Sequence, residues 1–137
     1  MVVSTNICVL CHEAEKSSQH LFIECAFAQR VWCLCFRWID ILFVQHKVVD
    51  CHFEHFHLPF FSTKQNQVWK GLWAAVVRSI WEQRNELIFK QGIPNVEEIF
   101  QKTQLKSWFW LKYRAQAFCY SFSDWILNPI LCIKSYV

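Results

Sequence analysis

Glycine and proline are scarce in this chain of 137 residues, which contains two glycines and three prolines. Tight turns between many short strands need these residues, so their scarcity disfavours a sandwich or barrel and favours a few long helices. The sequence also lacks an uncharged apolar run long enough for a membrane span, because charged residues such as Arg37 and Lys70 interrupt the candidates. We therefore expect a mainly α-helical protein that has no membrane partner.

A secretory signal is also missing from the start of the chain, MVVSTNICVLC, which has no basic region, apolar segment or small-residue cleavage site. We expect an intracellular protein, cytoplasmic or nuclear, and not a secreted one. In a reducing compartment its eight cysteines would be metal ligands, core residues or reactive groups rather than disulfide partners.

The excess of basic over acidic residues is small as well, since the formal net charge is +3. Dedicated nucleic-acid-binding domains usually carry a stronger basic balance. Aromatic side chains, in contrast, are abundant at 18% of the residues, within a hydrophobic fraction of 54%. Because burying so much apolar surface offsets the entropy lost on ordering the chain, we expect a packed fold and not disorder.

Cysteine and histidine form a metal-ligand pattern near the N-terminus, C-x2-C-x8-H-x4-C, made by Cys8, Cys11, His20 and Cys25. Two thiolates spaced in this way can reach one cation from a single tight turn. Three cysteines and one histidine fill the tetrahedral coordination of structural zinc and leave no ligand position for water. The pattern predicts one structural zinc ion.

Other interpretations of this segment stay open at this point. His12 is the main rival ligand, although its place directly after Cys11 makes coordination by both residues awkward. A thioredoxin-like redox pair would require a strand before Cys8 and a helix after Cys11, and the polar segment that follows argues against it. The third alternative is a set of unmetallated thiols, because cysteine is also a common core residue.

The local sequence predicts a zinc-closed hairpin, or knuckle, over residues 1–25. The polar segment 12–19 is typical of a loop, and HLFIE, residues 20–24, alternates like a short strand. A helix should begin directly after Cys25, where the positive end of the helix dipole favours a thiolate. Residues 26–137 would then form a helical region that packs with the knuckle as one unit.

About three helices are expected in that region. The first covers residues 26–44, the second is capped by Ser62 and stops at Gly92, and the third has Pro94 in its first turn and runs to about Phe118. Residues 44–61 are expected to be a connection, and the residues after Phe118 a short packed tail.

A second cluster of metal-ligating residue types occurs in CHFEHFH, residues 51–57. No paired-ligand spacing fixes a geometry there, and an irregular, partly buried loop explains the pattern equally well. Its candidate ligands are Cys51, His52, His55 and His57. The four cysteines outside both clusters are expected in the core, since they stand among apolar residues: Cys33, Cys35, Cys119 and Cys132.

The third helix carries basic residues interleaved with aromatic ones, a combination that can bind a phosphate backbone and stack on unpaired bases. A solvated basic face backed by core aromatics explains the same pattern and is the interpretation that we favour. The candidate nucleic-acid-binding residues are Lys102, Lys106, Trp108, Lys112 and Arg114.

The segment CVLCHEAEKSSQHLFIECAFAQRVW resembles the zinc-binding domain that follows the reverse transcriptase of plant LINE-type (non-LTR) retrotransposons. In that family a Cys-x2-Cys, a His and a Cys lead into a Phe-Ala-x-x-x-Trp helix. The resemblance implies that Cys8, Cys11, His20 and Cys25 are the ligands. The corresponding start of the helix consists of Phe27, Ala28 and Trp32.

A second stretch, WAAVVRSIWEQRNELIF, resembles the Ile-Trp-x-x-Arg-Asn-x-x-x-Phe signature found downstream in the same family. The matching residues are Ile80, Trp81, Arg84, Asn85 and Phe89. Family members usually continue upstream of the first cysteine, so the resemblance implies an N-terminally truncated copy.

The resemblance implies a non-enzymatic zinc module that assists the binding of RNA or DNA. The alternative is a structural or protein-interaction remnant, in which the Trp-rich helices bind a protein partner. Polymerase chemistry is not expected, because Asp40, Asp50 and Asp124 are scattered and two-metal catalysis needs clustered carboxylates.

Overall fold

The protein is mainly α-helical, as expected. The computed structural model describes residues 7–12, 17, 20–40, 48–90, 92–114 and 118–136. One π-helical turn, His20–Glu24, precedes six α-helices, which are α1 (Ala26–Ile39), α2 (Val49–His55), α3 (Thr63–Lys90), α4 (Val96–Arg114), α5 (Phe122–Leu127) and α6 (Pro129–Lys134). Within these described ranges, no helix combines the length and the apolar composition needed to cross a bilayer.

The three longest helices correspond to the three that the sequence predicts. Helix α1 begins at Ala26, directly after Cys25. Helix α3 is capped by Ser62, whose hydroxyl accepts a hydrogen bond from the N–H of Gln65 at 3.0 Å, while the Gln65 amide oxygen accepts from the N–H of Ser62 at 2.9 Å. This reciprocal capping box satisfies two backbone donors at the helix start.

The ends of two helices differ from the prediction. Helix α1 stops at Ile39 because Asp40 adopts a left-handed conformation with φ 63° and its N–H bonds to the carbonyl oxygen of Phe36. Residues 41–44 of the predicted helix lie outside the described residues. Helix α4 ends at Arg114, residues 115–117 lie outside the described residues, and Phe118 is not helical.

The start of α4 also differs from the prediction. The side chain of Asn95 accepts a hydrogen bond from the N–H of Glu98 at 3.2 Å, so Asn95 caps the helix. Pro94 therefore lies one residue before the cap and not in the first turn. The short tail contains two further helices, α5 and α6, which the sequence did not indicate.

Two local predictions were wrong. Residues 20–24 form a π-helical turn and not a strand, because the N–H of Cys25 bonds to the carbonyl oxygen of His20 at 2.7 Å and the buried residues do not alternate: His20, Leu21 and Ile23 all face inward. The predicted connection 44–61 contains helix α2, which is stabilised by burying its His52 against the ring of Trp32.

The core lies where α1 packs on the hairpin formed by α3 and α4. Lys102 pairs with Glu86 and Lys106 pairs with Glu82, an order that makes these two helices antiparallel. The fully buried residues include Trp32 of α1, Trp69 of α3 and Trp125 of α5. Leu10 and Leu21 belong to the same buried cluster, so the N-terminal segment packs directly on the helices.

Two of the four cysteines expected in the core lie there. Cys35 is 1% exposed and Cys132 is 2% exposed. The expectation was wrong for Cys33, which lies on the outer face of α1, and for Cys119, which lies in the segment before α5; both are exposed. An apolar sequence neighbourhood does not determine which side of a helix faces the core.

Candidate metal centre

The four predicted ligand residues come from three local structures that meet at the start of α1. Cys8 and Cys11 flank a turn, which the N–H of His12 closes by bonding to the carbonyl oxygen of Cys8 at 2.9 Å. His20 is the first residue of the π-helical turn, and Cys25 immediately precedes α1. The spacing in sequence therefore becomes one cluster in space.

The ligand atoms of Cys8, Cys11, His20 and Cys25 all lie within 4.8 Å of one another. The sulfurs of Cys8 and Cys25 are 3.9 Å apart, and the sulfur of Cys11 is 3.2 Å from Nε2 of His20. With Zn–S near 2.3 Å and Zn–N near 2.0 Å, a tetrahedron has edges of roughly 3.8 Å between sulfurs and roughly 3.5 Å between sulfur and nitrogen. This cluster can hold one metal ion.

A disulfide between these cysteines is not formed. The Cys8 to Cys25 sulfur separation of 3.9 Å is far longer than the S–S bond of about 2.05 Å. None of the eight cysteines, all of which lie within the described residues, forms a disulfide. The short contacts are those of ligand atoms facing a common centre, and three of the four ligand residues are buried while Cys11 is half-buried.

Electrostatics at the cluster indicate what a cation would change. The pKa of the Cys25 thiol is raised from 9.0 to about 12, chiefly by burial and to a smaller extent by the neighbouring Cys8 and Cys11, while the N–H groups of Ala28 and Phe27 at the start of α1 oppose the rise. Without a cation the buried thiol is therefore neutral. A divalent cation opposes the effect of burial and favours the thiolate, which is the form that binds metal.

The π-helical turn brings the candidate ligand residues His20 and Cys25 close together. Its i to i+5 hydrogen bond joins the backbones of His20 and Cys25, and Ser17 fixes its start by accepting the N–H of His20 at 3.0 Å with its hydroxyl. The turn is held against α1 because the indole N–H of Trp32 donates to the carbonyl oxygen of Phe22 at 2.8 Å. The position of the candidate ligands His20 and Cys25 therefore depends on contacts made by residues that are not ligands themselves.

His12, the rival ligand, does not join the cluster. It is exposed, with φ 60° in the left-handed region, while His20 supplies the imidazole within the group of ligand atoms. The redox alternative is not tested, because the strand before Cys8 and the helix after Cys11 that it requires would include residues 1–6 and 13–16, which lie outside the described residues.

The second cluster, residues 51–57, does not assemble a metal site. His52 is buried and its Nδ1 accepts a hydrogen bond from the indole N–H of Trp73 at 2.8 Å. His55 and His57 are exposed, and the ring Nδ1 of His55 lies 2.9 Å from the carbonyl oxygen of Cys51. His52 and His55 lie on helix α2 and His57 follows its end, and of these three imidazoles one is buried and two are exposed. Within the described ranges, only the first cluster groups three or more metal-ligating residues.

The candidate nucleic-acid-binding residues of α4 divide between two faces of that helix. Lys102 lies 3.2 Å from a carboxylate oxygen of Glu98, and Lys106 lies 2.8 Å from one of Glu82. On another face, the ammonium group of Lys112 lies 4.7 Å from the centre of the Trp108 ring, whose indole N–H donates to the carbonyl oxygen of Tyr120. The structure does not gather the five into one surface.

Arg114 is separated from those four and lies in a cavity with basic residues that the sequence analysis missed. Lys64 and Lys70 from the start of α3 line the same cavity. They lie more than 40 residues from Arg114 in sequence. No pattern within a single helix therefore indicates that these two lysines and Arg114 are close in space. Only the antiparallel packing of α3 and α4 brings them together.

The residues of the two family-like motifs lie partly in the core. Phe27, Ala28 and Trp32 are buried beside the candidate metal centre. In the second motif Ile80 is buried, whereas Trp81 and Phe89 are exposed. A guanidinium nitrogen of Arg84 donates to the side-chain oxygen of Asn85 at 3.1 Å.

Comparisons with protein-family models, with curated proteins and with solved structures give no match to this chain.

Proposed function

We propose that Cys8, Cys11, His20 and Cys25 bind one zinc ion and that the chain is a non-enzymatic zinc-binding module. The observation that carries the proposal is the convergence of three thiols and one imidazole nitrogen within 4.8 Å. Thiolate ligands select soft or borderline cations, and a tetrahedral set with one imidazole suits zinc.

The role of the ion is structural. The four protein ligands complete a tetrahedron, so no position remains for the water molecule or substrate that a catalytic zinc requires. Cys25 is fully buried and Cys8 is 2% exposed, which restricts solvent access to the ion. The ion would join the segment before residue 25 to α1, and its binding energy would contribute to folding.

The family-like motifs support a more specific origin. We propose that this is a module of the type that follows the reverse transcriptase of plant LINE-type retrotransposons, with the ancestral task of assisting RNA or DNA binding. Its support is the pair of motifs quoted above, the first of which has Phe27 and Trp32 packed beside the candidate metal centre. An intracellular location, cytoplasmic or nuclear, is part of the same proposal.

The zinc content of the purified protein, measured by elemental analysis, tests the proposal. We expect one zinc per chain in the wild type and in the controls Cys33→Ser and His57→Ala, which change exposed residues of the same types outside the cluster. We expect less than about a tenth of that content in Cys11→Ser and His20→Ala, because a set of three ligands binds structural zinc far more weakly.

Thermal unfolding with and without a chelator provides the second measurement. Chelation should lower the melting temperature of the wild type and of both controls, and should have little effect on the two ligand variants. A wild type without metal, whose melting is unchanged by added zinc, would overturn the zinc proposal. The protein-interaction alternative would then be favoured, and it rests on the exposed α4 side chains of Leu105, Phe109 and Tyr113.

A further inference from the structure

A cavity of about 470 Å³ lies between the start of α3, the end of α4 and the residues after α6. Its size is within the range of small-molecule sites, about 300–1,000 Å³. We call it the basic groove and define it by Lys64, Lys70, Trp110, Arg114 and Tyr136, with Val68 also in its lining. It is remote in sequence from all four candidate zinc ligands.

The charged side chains that line the basic groove are basic. Three of its residues are cations, and the described residues that line it include neither aspartate nor glutamate. Lys70 donates a hydrogen bond to the carbonyl oxygen of Phe53 at 2.8 Å, a neutral partner that leaves the positive charge in place. Within the described parts of the chain, no carboxylate pairs with Lys70 or Arg114.

Three other cations of the α3–α4 surface are in a different environment. Lys102 and Lys106 lie close to glutamates, and Arg78 lies 3.0 Å from Glu82. The modest net charge of +3 is therefore unevenly distributed, because Arg78, Lys102 and Lys106 lie beside glutamates whereas no described residue that lines the basic groove is a carboxylate. Clustered positive charge in a cleft attracts anions more strongly than the same charge spread over a surface.

The basic groove also has aromatic walls. Trp110 is 38% exposed, and Tyr136 is half-buried with the ammonium group of Lys64 at 4.8 Å from its ring centre. Gly71 permits this arrangement, because a Cβ at that position would clash with the Trp110 ring. The ring can rest on α3 beside the cations only where the helix has no side chain.

We propose that the basic groove binds a nucleotide, with its phosphate held by Arg114 and Lys70 and its base stacked on Trp110 or Tyr136. Guanidinium and ammonium groups are the side chains that recognise phosphate, and exposed aromatic rings stack on bases with little dependence on sequence. This inference rests on the nucleic-acid role proposed above and assigns that role to residues other than the zinc ligands. The nucleotide belongs either to a single strand or to a free mononucleotide, since both present the same chemistry.

The test is a titration of the zinc-loaded full chain with a fluorescent oligonucleotide of about eight nucleotides, as RNA and as DNA, with AMP as competitor. We expect Arg114→Gln to weaken oligonucleotide binding about tenfold at low salt, because it removes a charge-assisted contact to phosphate. Arg78→Gln is the matched control: it removes the same residue type and charge at a position that already pairs with Glu82 at 3.0 Å, and it should change affinity less than about twofold.

A second pair of variants tests the aromatic wall without changing any charge. Gly71→Ala should displace the Trp110 ring and weaken binding about threefold or more, because stacking on each base contributes measurably to affinity. Gly92→Ala is its control, since a Cβ there would meet only the Leu87 side chain at an ordinary 3.8 Å. Circular dichroism on the same samples verifies that each variant is folded.

The results separate this inference from the proposed function. Equal weakening by Arg114→Gln and Arg78→Gln would overturn the basic groove as the site while leaving the nucleic-acid role in place. Zinc-loaded wild type that binds neither oligonucleotide nor AMP would overturn both the inference and the nucleic-acid role, whereas the measured zinc content would still support the metal module. Competition by AMP at the affinity of the oligonucleotide would identify a free nucleotide as the ligand.

Discussion

The indole N–H of Trp32 donates a hydrogen bond to the carbonyl oxygen of Phe22 across 2.8 Å. Phe22 lies within the π-helical turn, between the candidate ligands His20 and Cys25, and Trp32 lies in the buried face of α1. The bond therefore connects the segment that carries the ligands to the core of the helical region. It couples the geometry of the candidate metal centre to the packing of α1.

Replacing Trp32 by Phe should destabilise the protein by about 2–4 kcal/mol, because the change removes this hydrogen bond and leaves space in a fully buried position. Urea unfolding of the zinc-loaded protein measures the change. The control is Trp81→Phe, at a side chain that is 40% exposed, and it should alter the free energy of unfolding by less than about 0.5 kcal/mol. Equal effects of the two substitutions would contradict the prediction.

Asn66 should be a second important polar residue of the core. Its side-chain oxygen accepts the N–H of Leu58 at 2.7 Å, and its amide donates to the carbonyl oxygens of Leu58 and Ser62. Asn66→Ala would leave the N–H of Leu58 without a partner, whereas the carbonyl oxygens of Leu58 and Ser62 still accept from the backbone N–H groups of Phe61 and of residue 66. We therefore expect a loss of about 1–3 kcal/mol in urea unfolding. Gln67→Ala, at the exposed neighbouring position, should remain within about 0.5 kcal/mol of the wild type.

Alkaline pH should destabilise the fold through its buried thiols. Burial raises the pKa of the Cys35 thiol far above 9.0 and that of Cys132 to about 11, with Asp124 and Cys119 contributing at the latter. These thiols stay protonated in the folded chain while those of the unfolded chain ionise near pH 9. Their stabilising contribution is therefore complete below pH 9 and is lost as the pH rises toward the folded pKa.

Urea unfolding at pH 8 and at pH 10 measures this loss, which should be about 1 kcal/mol from Cys35 alone. Cys35→Ala should reduce the difference between the two pH values by that amount. Cys33→Ala, at an exposed thiol two residues away in the same helix, should leave the difference as in the wild type. A wild type equally stable at both pH values would count against the prediction.

Glu82 should stabilise the α3–α4 pair in a manner that depends on pH and salt. The hydrogen bond from Lys106 is the main cause that holds the pKa of Glu82 below 4.5, and Arg78 acts in the same direction. The contribution is present above about pH 4.5 and is lost as the pH falls through the lowered pKa of the folded state. Because the pair is partly exposed, we expect at most about 1 kcal/mol.

Glu82→Gln should therefore reduce stability at pH 7 in low salt and have almost no effect at pH 3 or in about 1 M salt, where exposed charges are screened. Chemical unfolding under the three conditions is the measurement. Glu54→Gln, which changes an exposed carboxylate on α2, should not reproduce this dependence. If Glu82→Gln reduced stability equally in high salt, the loss would come from altered packing and not from the lost charge.

Features that depend on neighbours in sequence were predictable. The quartet Cys8, Cys11, His20 and Cys25 follows from ligand spacing, and the starts of α1 and α3 follow from the residues at Cys25 and Ser62. Capping and ligand turns use hydrogen bonds and side chains within a few residues, so the information is local. The mainly helical class follows in the same way from the scarcity of turn residues.

Features that depend on which surfaces meet were decided by the tertiary structure. HLFIE alternates like a strand but forms a π-helical turn, because three of its residues are buried against the helices. Cys33 and Cys35 look alike in sequence, yet the orientation of α1 exposes one and buries the other. The basic groove requires the ends of α3 and α4 to lie side by side. The sequence by itself therefore determined the candidate ligands and the helical class, whereas only packing decided burial and the distribution of charge, since both depend on contacts between residues that are distant along the chain.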